Sequence, residues 1–294
     1  MTEYCRPTSV EEAVDLLVAH EGAARIIAGG TDVLPDLRRG KIAPACLVDV
    51  TQIPQLGRIE VGDDFVQVGA AVTFAQIRVH PFLARHVPAL VAAAGSVGAA
   101  AIQNAATWVG NIVQAMPAAD GAVVAVALEA EARVVDASGA AWRPVASLFE
   151  GPGQSAVDPT RQLVTEIRFP LRQGAWGTAW ERIGRRPSLV LPILNSAVSL
   201  QLDAAGTEVV HAVVAMGPVA PRPFRARGAE AVLEGQPPTE EAFAQAARVA
   251  CQEAQPRSST FRASCDYRLN VIPHLVIAAL STAAERAKDT AGSA

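Results

Sequence analysis

The run ARIIAGGTDVLPDLRRGKIAPACLVDV, residues 24–50, constrains the fold more than any other stretch of the chain. Two short apolar strand candidates, ARII and CLVDV, flank a Gly29–Gly30 turn and a short amphipathic piece that Asp32 can cap. Ahead of it, TSVEEAVDLLVAH reads as a helix, with Ser9 and Glu12 at capping-box spacing and Val10, Ala13, Val14, Leu17 and Val18 on one face. Together these segments predict a βαβ-like unit of about fifty residues. Paired glycines let the backbone turn with positive φ and come close to a ligand. Backbone donors beside a helix start suit a pyrophosphate. The spacing is neither the three-glycine dinucleotide fingerprint nor a P-loop, and Asp32 puts an acid where phosphate would sit. A plain tight turn therefore stays open beside the phosphate reading.

Further along, DDFVQVGA is a strand candidate, and Thr73 with Gln76 again has capping-box spacing before FAQIRVHPFLARH. Pro88 starts a helix of small residues. The next stretch, AAAIQNAATWVGNIVQAMPAAD, has no clean period: it is too apolar for an exposed linker and too irregular for a helix. A buried loop of that kind needs partners for its N–H groups, and a ligand could supply them. Thr107, Gly110, Asn111 and Asp120 are its small or polar members, although turn chemistry and an N-cap at Asp120 would explain them equally. Two such loops about eighty residues apart could clamp opposite sides of one phosphate-bearing ligand. GAVVAVALEA then reads as a helix, and ARVVD and LVTEIRFP as strands. LRQGAWG (171–177) looks like a junction, after which longer strands and then helices predict a smaller α+β domain with helices on one sheet face.

Composition mainly excludes. A net charge of −4 with scattered basic residues leaves no footprint for nucleic acid. Glu129 and Glu131 interrupt the most apolar stretch, so no segment is expected to insert into a membrane. The N-terminus lacks the apolar core of a signal peptide, which points to the cytoplasm. Cys5, Cys46, Cys251 and Cys265 form no CxxC pair, a spacing that argues against zinc or an iron–sulfur cluster on this chain. The five histidines are isolated, and no serine sits in a nucleophile elbow. Arg257 and Arg262 near Tyr267 could bind an anion or tie a helix to its neighbour. With no catalytic acid, base, nucleophile or metal set in view, the chemistry is expected to reside in a bound cofactor.

Three segments in order, AGGTDVLPDLRRGKIAPACLVDV, AIQNAATWVGNIVQAMPAADG and RSSTFRASCDYRLNVIPHLVIAAL, resemble the FAD-binding medium subunit of the molybdenum hydroxylases. The family includes the flavoprotein subunits of carbon monoxide and xanthine dehydrogenases, and the resemblance covers roughly residues 4–285. It implies an α+β architecture. An FAD-binding domain of the vanillyl-alcohol oxidase type spans 1–172 in subdomains of about 1–56 and 57–172. A C-terminal α+β domain of the carbon monoxide dehydrogenase flavoprotein type follows over 176–286, with 287–294 as a frayed tail. The family's first loop, which wraps the FAD pyrophosphate, falls on Ile27, Ala28, Gly29, Gly30, Thr31 and Asp32. Its second loop falls on Thr107, Gly110 and Asn111, and the Asp that contacts the ribityl or phosphate end falls on Asp120. On this reading Asp32 caps the following helix with its carboxylate turned from the ligand.

The resemblance also implies partners. Substrate would be hydroxylated at molybdopterin in a large subunit. Electrons would then pass through [2Fe–2S] clusters in a small subunit to FAD on this chain, and on to NAD⁺ or another acceptor. A doubled heterotrimer is the expected assembly. The extra cysteine-rich insertion of one branch is absent, so FAD is the expected sole redox group here. Val109 replaces the first glycine of the family's pair and Trp108 the usual Ile. If that position needs φ > 0, Val109 carries strain of about 1 kcal/mol or more. Two other readings compete: a self-contained flavin reductase, and a scaffold subunit that has lost FAD.

Overall fold

The computed structural model describes residues 2–186 and 188–291. Strand β1 (Glu3–Cys5), helix α1 (Val10–Ala19), β2 (Ala24–Ile27), α2 (Val33–Arg38) and β3 (Cys46–Asp49) form the first unit, a parallel sheet in the order β1-β3-β2. Helix α1 buries Val10, Ala13, Val14 and Leu17 of the face that its spacing predicts, while Val18, placed on that face, is exposed. Ser9 accepts the Glu12 N–H at 3.1 Å, but the Glu12 carboxylate passes Ser9 by and accepts from the N–H and hydroxyl of Thr8. The cap thus straddles three residues instead of closing a reciprocal box.

The second unit contains β4 (Ile59–Val61), β5 (Phe65–Gly69), α3 (Phe74–Val79), α4 (Pro81–His86), α5 (Pro88–Ser96), α6 (Ala100–Gln103), α7 (Trp108–Val113) and α8 (Asp120–Ala127). It continues through β6 (Glu131–Asp136), β7 (Gly139–Pro144), the small hairpin of β8 (Phe149–Gly151) and β9 (Gln154–Ser155), and β10 (Leu163–Pro170). The antiparallel sheet runs β4-β5-β10-β6-β7. FAQIRVHPFLARH is two helices, not one: Pro81 opens α4, and His80 ends α3 while capping α4. Thr73 and Gln76 close a full capping box. The stretch read as too irregular for a helix holds the short helices α6 and α7. Each is too short to show a period, which is why the pattern looked featureless.

The last unit is an antiparallel sheet of β11 (Trp176–Ile183), β12 (Leu194–Leu202), β13 (Val209–Gly217) and β14 (Phe224–Arg225), followed by α9 (Arg227–Leu233), α10 (Glu240–Glu253) and α11 (Cys265–Ala291). Residues 287–291, read as tail, continue α11, and 292–294 lie outside the described residues. One face of this sheet, with Ala179, Val198 and Val214, packs on the C-terminal helices. The opposite face presents Trp180, Ala197 and Ala215 to the core of the first 170 residues, where α5 and α8 lie against it. Neither face is left to solvent, so β12 is almost continuously buried and does not alternate. Gly177 allows α11 to seat directly on β11: a Cβ there would lie 2.0 Å from the Ala283 carbonyl oxygen.

Candidate functional site

The two loops meet. Strand β2 ends at buried Ile27, and the chain turns through Gly29 and Gly30 into α2. Gly30 has φ +68°, the left-handed region where a side chain is strained. Gly29 answers a different need, because a Cβ would fall 1.9 Å from the Ala105 carbonyl oxygen. The first loop is therefore laid directly on the backbone that leads into the second. Thr107 begins α7: its hydroxyl accepts the Gly110 N–H at 3.0 Å and its carbonyl the Asn111 N–H at 3.0 Å. Flanking bonds, Phe74 N–H to Ala106 O and Trp108 N–H to Val72 O, fix this turn to the start of α3. Trp108 is fully buried, and its indole N–H donates to the Gly121 carbonyl at 2.9 Å, which ties α7 to α8.

Among the described residues, the N–H groups of Gly29, Gly30, Thr31, Asp32, Thr107 and Val109 donate to no protein acceptor. The Asn111 Oδ1 is buried without a partner. Ala28, Gly29, Gly30, Thr31, Asp32, Thr107, Gly110 and Asn111 all line one cavity of about 700 Å³, a size typical of small-ligand sites. Thr31, Asp32, Asp36, Asn111 and Gln114 also line a second space of about 960 Å³, whose far wall includes Pro218, Arg257 and Arg268 beyond the C-terminal sheet. An extended ligand can thus start in the first cavity and reach the cleft between the domains.

Electrostatics suit an anion in the first cavity. Arg25 lines it, with a buried Nε that has no partner and a pKa lowered by burial. Burial first, and Asp36 second, push the Asp32 carboxyl above its ordinary range. Free amide donors on two loops and an arginine make a donor set that fits a pyrophosphate.

Two expectations, a side-chain cap at Asp32 and backbone strain at Val109, are corrected. Asp32 occupies the N-cap position of α2 but makes no side-chain capping bond, and it faces the cavity. Val109 is the second residue of α7 and does not take positive φ, so the backbone strain inferred from the missing glycine is absent. Its side chain stands on the cavity wall. Ile27 faces the protein interior while Ile26 lines the cavity. Asp120 is buried away from the cavity lining. It accepts from Asn195 Nδ2 at 2.7 Å and Ser96 Oγ at 3.0 Å, with Arg182 Nε at 3.6 Å, so it links α8 to strands β11 and β12. Burial pushes its carboxyl up, against the hydrogen bond from Asn195 and the charge of Arg182. Arg25, Gln114 and the β8–β9 hairpin with Gly153, Gln154 and Ser155 also line the cavity, and sequence reasoning missed them. A lone charge in an apolar strand was the available signal for Arg25.

Comparison with known proteins agrees with this geometry. Residues 1–172 match the family profile described as the FAD-binding domain in molybdopterin dehydrogenase. Residues 180–283 match the carbon monoxide dehydrogenase flavoprotein C-terminal domain. A xanthine dehydrogenase FAD-binding subunit of Escherichia coli O157:H7 is 29% identical over 281 residues, 95% of each chain. The nicotine 6-hydroxylase medium subunit of Paenarthrobacter nicotinovorans is 29% identical over 93% of this chain and 94% of its own. A carbon monoxide dehydrogenase structure from Hydrogenophaga pseudoflava superposes with a TM-score of 0.90 at 29% identity, covering 97% of this chain and 98% of that one. Two loops that present free donors to one cavity, on a fold matched along almost its whole length, place this chain in the family of FAD-binding medium subunits of the molybdenum hydroxylases.

Proposed function

We propose that this chain is the electron exit of a molybdenum hydroxylase complex. It would take electrons from [2Fe–2S] clusters of a small partner subunit while a large subunit with molybdopterin hydroxylates an N-heterocycle, aldehyde or similar substrate. The acceptor would be NAD⁺ or another oxidant, and the assembly a doubled heterotrimer. The observation that carries the reading is the joint cavity. Gly29–Asp32, Thr107 and Val109 offer backbone donors without protein acceptors, and the wall holds no serine–histidine, metal or paired acid–base set. When bound there, FAD supplies the exchange of electron pairs for single electrons. The residues of this chain would hold and orient it. The Gly29–Asp32 amides and Arg25 would take the pyrophosphate, Thr107 and Asn111 would form the wall beside it, and the cleft beyond would seat the far end.

Val109 was the motive for a scaffold that has lost FAD, and its ordinary helical backbone removes that motive. The test is purification of the complex with its partners. Molybdenum, iron and FAD should co-purify, and substrate should reduce the flavin only when all subunits are present. Steady substrate turnover by this chain with FAD alone would overturn the proposal in favour of a self-contained reductase.

A further inference from the structure

Cys5 and Cys46, forty-one residues apart in sequence, come together at the open end of the first sheet with their sulfurs 3.1 Å apart. The pairing of β1 with β3 explains it: Glu3 is opposite Cys46, and Cys5 lies two residues on, on the same face. One ligand atom each from Glu3, Cys5 and Cys46 lies within 4.8 Å of the others, the one such cluster among the described residues. His20, at the C-terminus of α1, stands beside this group but outside it, with Nε2 3.7 Å from Glu3 Oε2. Its other nitrogen, Nδ1, is 2.8 Å from the Leu16 carbonyl oxygen. A carbonyl only accepts, so Nδ1 carries the proton, and in the neutral ring the Nε2 lone pair faces the carboxylate. A ring nitrogen fixed by a backbone carbonyl so that the other is free is the outer-shell arrangement of metal-binding histidines.

We infer that Glu3, Cys5, His20 and Cys46 form a binding site for a thiophilic divalent cation of the zinc type. Two sulfurs, an imidazole and a carboxylate are a donor set that zinc takes tetrahedrally. Metal–sulfur bonds of about 2.3 Å at the tetrahedral angle separate two sulfurs by about 3.8 Å, and bonds of about 2.1 Å separate nitrogen and oxygen by about 3.4 Å. The 3.1 Å sulfur pair must open slightly and the 3.7 Å nitrogen–oxygen pair must close slightly. Both are side-chain adjustments, and His20, outside the 4.8 Å cluster, must also swing towards the sulfurs to become the fourth ligand. Glu3 is exposed, which gives the ion a way in, while Cys46 is in the core. Binding would release the two thiol protons. Four protein ligands leave no position for substrate, so the ion would be a clamp holding the three-residue strand β1 to α1 and β3.

The test uses the full chain, reduced with a phosphine and titrated with Co²⁺. The expected result is a thiolate-to-cobalt charge-transfer band with the visible bands of tetrahedral cobalt, saturating at a single equivalent and bleached by Zn²⁺. Cys5→Ser and Cys46→Ser should each remove the charge-transfer band, and His20→Gln should weaken binding about tenfold or more. Cys251→Ser and Cys265→Ser should change nothing. Cys5 is at the strand edge, so Cys5→Ser remains informative if the buried Cys46 variant does not fold. Absence of the thiolate band, or its persistence in Cys5→Ser, overturns the site. Isolation of the chain as a Cys5–Cys46 disulfide whose reduced form takes up no Co²⁺ does the same.

Discussion

At the residue scale the cavity depends on positions where a single atom decides. Gly29→Ala would drive a methyl into the Ala105 carbonyl and separate the two loops. FAD affinity measured by flavin fluorescence quenching should fall at least about 100-fold, equivalent to about 2.7 kcal/mol. Asn111→Ala removes a polar side chain from the cavity wall and should cost about 1 kcal/mol of FAD affinity. Val109→Gly gives a contrary expectation to that of a strained valine. Because Val109 is helical, the change should destabilise α7 by about 1 kcal/mol, read as a lower Tm, and not relieve strain. The sequence made Gly29, Gly30, Thr107 and Asn111 legible because small and polar residues in apolar surroundings call for a reason. It could not show that Gly29 is required by contact with another loop rather than by φ, since that depends on where residue 105 lies in space.

At the element scale, α7 is held by its side chains more than by its length. Six residues make a marginal helix. Trp108 anchors it through its indole bond to Gly121 and an edge contact with Phe169. Trp108→Phe leaves the Gly121 carbonyl without its donor and should cost about 1–3 kcal/mol in chemical denaturation. Long elements, such as α1 with its clear period and the strands of the last sheet with their length and apolar runs, could be read from the chain. The short pair α6 and α7 could not, because four and six residues do not define a period. The β8–β9 hairpin was missed for the same reason. The thiol pair was missed because strand order, not spacing, brings Cys5 to Cys46.

On the scale of the whole molecule, a charged network spans the two halves. Glu129 receives Arg225 Nη1 at 2.8 Å and His211 Nε2 at 2.9 Å and also contacts Arg172, while Arg225 Nε binds Glu230 at 2.8 Å. Burial opposes ionisation of Glu129, but hydrogen bonds from Arg225 and His211 outweigh it and hold the carboxyl at about 2. A depressed folded-state pKa stabilises the fold above the unfolded value, near 4.5, and that contribution is lost as pH falls towards 2. The stability gap between the native chain and Glu129→Gln should therefore be full at pH 6 and shrink steadily below pH 4.5, as urea unfolding at each pH would show.

The sheet covered on both faces sets a limit on how the chain can be divided. A fragment beginning after residue 172 would expose Trp180, Ala197 and Ala215 to water, and its missing half would lose the lid over α5 and α8. Each piece would then carry an apolar wound of the kind that drives aggregation. Expressed separately, the halves should be insoluble, or should rescue one another when mixed. Newly made chain would accordingly keep that apolar face of α5 and α8 open until the C-terminal sheet has been made.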